Sequence, residues 1–183
     1  MFETIMSKVY AGFIAISMFF LSNYTGNNAH LEGLNVVYED NVVKLGGVLV
    51  DAFENDFEEL FLSGLEVKIV YEVIVSSNRR WVYQKRFTQS VLWDTDYKQW
   101  IIITNEPDQA FVTTDYLEMK QNLSQFQTDL YFNKDQYDKV DIQIKARLED
   151  LYIPTSETFL NLMLLWNRKA PVGRLSVNTR VVR

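Results

Sequence analysis

Two stretches of strict alternation constrain this chain more than any other feature of its sequence. Leu65, Val67, Ile69, Tyr71, Val73 and Val75 alternate with Glu66, Lys68 and Glu72, and Val140, Ile142, Ile144, Ala146 and Leu148 alternate with polar or charged neighbours. Period two turns one face to a core and the other to water, the pattern of antiparallel strands. Parallel strands, buried on both faces, read instead as continuous apolar runs. Ser76 to Arg79 predicts a turn, and Trp81, Tyr83 and Phe87 predict the returning strand of a long Trp-bearing hairpin. Further strands are expected at Leu34–Tyr38, Val42–Val50, Trp100–Thr104 and Leu175–Thr179, with turns at Glu39–Asn41, Asp94–Asp96 and Asn105–Asp108.

Helical signals are fewer. Asp51 with Glu54 has the form of a capping box ahead of Phe53, Phe57, Leu60 and Phe61, and Gly64 is placed to end that helix. Asp115 with Glu118 repeats the signature ahead of Leu117, Met119, Leu123 and Phe126. Phe159 to Trp166 is apolar nearly all round, and its Pro-Thr-Ser-Glu lead-in favours a helix start. The expected fold class is α+β, mainly β: an antiparallel sheet or sandwich with the Trp-bearing hairpin and two or three packed helices. Gly46-Gly47 inside a strand pattern marks a bulge or a close approach.

The N-terminus carries the clearest address. Lys8 precedes an uncharged run from Val9 to Leu21, whose apolar residues include Val9, Phe13, Ile16, Phe19, Phe20 and Leu21. The run is the size of a secretion signal and reaches the roughly 20 residues of a membrane span only by counting its polar flank. A removed signal and a retained anchor are both open, because no clean small-residue cleavage site follows. No Lys or Arg occurs between Leu21 and Lys44, so the positive-inside rule puts the N-terminus in the cytoplasm and the domain outside it. The expected organisation is residues 1–30 as signal or anchor plus a polar linker, Asn23 to Asn28 with His30 solvated just after it, and residues 31–183 as a single extracytoplasmic domain.

Chemistry is constrained mostly by what is missing. The chain has no cysteine and one histidine, His30, which excludes thiolate nucleophiles and leaves no basis for a Ser-His-Asp triad or a multi-His metal site. No phosphate-binding glycine motif is present. Asp94 and Asp96, or Asp135, Asp138 and Asp141, could offer oxygens to a cation, but neither set has the spacing of a calcium loop, and turns explain both. The expectation is a non-enzyme with no cofactor and no metal. A net charge of -6 argues against nucleic acid.

The charge is unevenly spread. Residues 32–66 hold Glu32, Glu39, Asp40, Asp51, Glu54, Asp56, Glu58, Glu59 and Glu66 against Lys44 alone, whereas residues 168–183 hold five bases and no acid. Arg79, Arg80, Lys85 and Arg86 around Trp81, with Arg168, Lys169, Arg174 and Arg180, form the candidate interaction surface. Trp81, Trp93 and Trp100 are otherwise ordinary sheet residues.

Certain residues carry a family likeness: Glu59-Leu60 with Ser63-Gly64-Leu65, Tyr71-Glu72, Arg80-Trp81, and Tyr97 to Trp100 after an acidic turn. With these the chain resembles the uncharacterised bacterial domain-of-unknown-function family 4390, from Phe57 to Trp100 and onward to about Leu148. The resemblance implies an exported protein and no particular chemistry. The expected role is a non-catalytic accessory component of a periplasmic assembly, anchored in the inner membrane or released from it, with other envelope proteins as partners. The alternative is an extracytoplasmic binding module for a lipid or other apolar ligand held at Phe159 to Trp166.

Overall fold

The computed structural model describes residues 26–39, 42–55, 57–105, 108–153 and 157–179, and within them the chain is mainly antiparallel β. The larger sheet has six strands. Its centre is the expected hairpin, β3 (Val67–Ser77) against β4 (Arg80–Asp94), turned by Asn78 and Arg79 at φ 50° and 63°. Two successive left-handed residues give the turn the twist that a right-handed ribbon requires. β8 (Lys139–Leu148) and then β11 (Val172–Asn178) extend the sheet on one side, and β5 (Gln99–Asn105) and β6 (Asp108–Thr113) extend it on the other. The smaller sheet has three strands, β1 (His30–Glu39), β2 (Val42–Val50) and β7 (Gln125–Leu130) in that order. β9 (Leu151–Ile153) and β10 (Thr158–Leu160) pair by themselves.

The sheets meet through aromatic rings. Tyr71 of β3 stacks on Phe87 of β4 at 4.7 Å and contacts Phe126 of β7 at 4.9 Å. Phe126 lies directly opposite Gly47 in the β2–β7 register. A Cβ on Gly47 would come within 2.6 Å of that ring and 2.7 Å of Leu34, so the glycine is there for close approach, as its place in an apolar strand suggests. At the other flank Gly173 of β11 makes the same allowance for Leu34 and Leu31 of β1.

Helices close what the small sheet leaves bare. α1 (Phe57–Leu62) buries Phe57 and Phe61 against Phe53, and Phe61 meets Trp100 edge-on at 6.4 Å. Gly64 at φ 75° ends α1 as expected, but Asp51 does not start it. Asp51 at φ 51° and Asn55 at φ 57° make a left-handed bend that tucks Ala52 and Phe53 into the core before the helix begins. α2 (Tyr116–Ser124) does begin at its expected cap, where Asp115 Oδ1 accepts from Leu117 N at 2.7 Å and Glu118 N at 3.1 Å. The return bond of the capping box runs through a relay: Asp115 N donates to Thr113 Oγ1, whose hydroxyl donates to Glu118. α2 ends at Ser124, and Phe126, expected on its face, belongs to β7.

Two other expectations change. Phe159 to Trp166 is not one helix: Phe159 and Leu160 pair with β9, and Leu162–Trp166 is a 3-10 turn, η2, capped by Asn161. Trp166 is buried and donates its indole N–H to Ala52 O at 2.9 Å. Nor is the segment before β1 a solvated linker throughout. Asn27 is 5% exposed, donates its backbone N–H to Leu165 O and its side-chain amide to Glu54 O, and accepts from Asn55. The packed body therefore includes residues from Gly26 on. Residues 1–25, with the apolar run, lie outside the described residues.

His30 opens β1 and is exposed, its ring nitrogens 3.0 Å from Asn28 O and from Glu32 Oε1. The Asn28 carbonyl first, and then Glu32, favour the imidazolium and raise its pKa above 6.5. A raised folded-state pKa stabilises the fold fully below the unfolded value, and the gain is lost as pH rises through the folded one. An NMR titration should place His30 above the ordinary imidazole range, and His30→Gln should remove that increment below neutrality. In the core, Gly47→Val should lower stability by about 1–3 kcal/mol, read as a reduced urea midpoint with an unchanged slope.

Candidate functional site

The structure disperses the residues that the sequence grouped as an interaction surface. Arg79, Arg80 and Trp81 sit at the tip of the β3–β4 hairpin, with Trp81 68% exposed. Lys85 points inward between the sheets: its ammonium donates to Asp129 O of β7 at 2.5 Å and lies over the Tyr131 ring. Arg86 is on the outer face opposite Glu72, 3.7 Å from Glu149. Arg174, also on the outer face, donates to Gln143. Arg168 and Lys169 follow η2, whose Met163 sulfur accepts from Leu148 N at the opposite end of β8 from the hairpin tip. Arg180 lies outside the described residues. The tip and the η2 end are separated by the length of β3, roughly 30 Å at about 3.3 Å per residue.

A different feature is built by the mismatch of the sheets. β7 is an edge of the small sheet, and β5 and β6 reach past it. Between them lies a groove of about 690 Å³. Its floor is the inner face of the large sheet, Ile102, Thr104 and Phe111, and its opposite wall is the start of β7 together with Gly33 and Asn35 of β1 and Gly46, Gly47 and Val48 of β2. Six side-chain amides line it: Asn35, Gln89, Gln109, Asn122, Gln125 and Gln127. Among the described residues no acid, base or histidine lines it, and those residues offer hydrogen bonds and apolar contact.

Gln89 holds the groove's most informative atom. The side chain is 4% exposed, and its Nε2 crosses from β4 to donate to Gln125 O at 2.6 Å. Its Oε1 is buried with no donor. A buried acceptor left unmatched costs about 1–3 kcal/mol, which a ligand donor would recover.

The first acid set reads as a turn, and the second only in part, since Asp141 lies on a strand. Asp94 Oδ1 accepts from Asp96 N and Tyr97 N, closing the β4–β5 turn. Asp135 lies in the short 3-10 turn η1 (Lys134–Gln136), and Asp141 is on β8, hydrogen-bonded by Ser176. Among the described residues no three metal-ligating side chains converge, and no helix is long and apolar enough to cross a membrane.

No family model matches the chain, and no curated protein or solved structure does either. The likeness to domain-of-unknown-function family 4390 therefore rests on its quoted residues alone.

The groove residues of β7 escaped the sequence reading for one local reason. Gln125-Phe126-Gln127-Thr128-Asp129-Leu130 alternates polar and apolar with period two, yet it follows α2 without a break, and Phe126 also continues the helical spacing of Met119 and Leu123. Periodicity resolved in favour of the strand would have exposed the amide pair. The inward role assigned to Lys85 is testable. Lys85→Met should cost about 1–2 kcal/mol through its lost charge-assisted bond, against no more than about 0.5 kcal/mol for a solvated surface cation, measured by urea denaturation.

Proposed function

We propose that this chain is a non-catalytic accessory component of a bacterial periplasmic assembly, tethered at the inner membrane by its apolar N-terminus and recognising other envelope proteins through its sandwich. The observation that carries this role is the polarity of the molecule. Gly26 and Asn27, where the chain emerges from the N-terminal segment, are fastened to Leu165, Glu54 and Asn167 at the η2 end. The exposed Trp81, with Arg79 and Arg80, sits at the far end of the long hairpin. A chain held at Gly26 would carry this aromatic and cationic tip away from the membrane surface, where a partner can meet it. Trp and Arg are the side chains most enriched at the energetic centres of interfaces.

A lipid-binding role would need an apolar cavity, and the segment that suggested one is part core and part surface, with Phe159 70% exposed. Leu162, Leu165 and Trp166 are buried, while the groove beside β7 is lined by amides.

Native mass spectrometry on the full chain gently extracted from its own membranes tests the role. The expected spectrum has other polypeptides retained on the chain, lost when Arg79 and Arg80 are changed to Glu and Trp81 to Ser. A chain carrying only a lipid-sized adduct would contradict it. If a signal is removed, the cut should fall before Gly26, because a cut at His30 would delete the buried Asn27.

A further inference from the structure

We infer that the edge of β7 takes a fourth strand supplied by a partner protein: a short, extended, uncharged peptide segment lying in the amide-lined groove. The inference deepens the accessory role by naming the form of one partner.

The edge already behaves as half of a ladder. Gln125 and Asp129, four residues apart on β7, have their carbonyls capped by side chains of β4: Gln89 Nε2 on Gln125 O and Lys85 Nζ on Asp129 O. Outward groups recur at every second residue of an antiparallel edge strand, so Gln127, between them, directs its N–H and C=O from the same edge. The two carbonyls already accept from side chains and bound a stretch about 13 Å long at about 3.3 Å per residue, with Gln127 between them. The Gln89 amide stands in for a strand's peptide group: its N–H pairs with β7, and its buried Oε1 is left for the next donor in line. A main-chain N–H of an added strand supplies that donor once the Gln89 side chain, buried as it stands, turns to meet it.

Side-chain chemistry on either side agrees. A strand next to β7 lies over the inner face of β5 and β6, where Ile102 is the apolar floor and Phe111 is 37% exposed. Its residues facing down are therefore apolar. Those facing out meet Gln127 and solvent, and the described lining of the groove carries no charge to pair with Asp, Glu, Lys or Arg at the downward positions. Adding a strand to an exposed edge, with main-chain bonds for affinity and alternate side chains for selectivity, is a common mode of peptide recognition.

The test uses the full chain in lipid nanodiscs, panned against a phage-displayed library of random twelve-residue peptides. Recovered peptides should be uncharged with alternating apolar residues. Their synthetic versions should bind at least tenfold more weakly when alternate amides are N-methylated, and at least tenfold more weakly to Gln89→Leu and Phe111→Lys. Phe111→Lys changes an exposed edge residue and keeps the test alive if Gln89→Leu folds poorly, as thermal melting would reveal. No enrichment above background, or equal binding to native chain and variants, would overturn the inference. So would uncharged oligosaccharides, rather than peptides, shifting the Gln89 and Gln125 side-chain amide signals in NMR, or a dimer of the chain that Phe111→Lys dissociates. Polypeptides still retained in native mass spectra alongside any of these results would leave the accessory role standing and remove only the strand.

Discussion

Three strands cannot cover six. The small sheet lies over only part of the large one, and every other element is arranged around that shortfall. The Tyr71–Phe87–Phe126 contact fixes where the two sheets touch, and Gly47 lets Phe126 come close enough to do so. From that point outward the uncovered area must be filled by other means or left open. α1 brings Phe57 and Phe61 over the Trp100 end, α2 buries Met119 and Leu123, and η2 with Asn27 closes the end near Leu148. The inner face of β5 and β6 beside β7 is the place where coverage stops.

Polar groups at this boundary are managed unevenly. Most find partners: Lys85 satisfies Asp129 O, Trp166 satisfies Ala52 O, and the Thr113 relay joins Asp115 to Glu118. Among the described residues the core keeps two unmatched hydroxyls, Tyr71 and Thr128, in the dry layer between the sheets. Burial alone raises the Tyr71 pKa, so that phenol stays neutral. Gln89 differs from both because its side chain also lines the groove, although the unmatched oxygen is itself buried.

The large sheet was legible because its signals are local. Alternation from Leu65 to Val75 and from Val140 to Leu148, with a turn at Asn78-Arg79, specifies strands and hairpin without reference to anything distant. Asp115 was legible for the same reason, since a cap answers to its own helix. Asp51 has the same residue type and spacing but was misread, because burial of Ala52 and Phe53 holds its backbone in a left-handed bend. The candidate surface was grouped by sequence proximity, which a strand contradicts: Lys85 and Arg86 are adjacent and face opposite sides of the sheet. Asn27 and Gln89 had no signal to read, as their roles depend on carbonyls 25 to 138 residues away.

The account stands on the open side of the sandwich being an interface. Hydrogen exchange of the full chain in its native membranes, compared with the purified chain, tests that most directly. The amides of Gln125–Leu130 should exchange more slowly in the membranes, while those of the central strand Val67–Ser77 exchange equally slowly in both. Identical rates along β7 in the two preparations would contradict it.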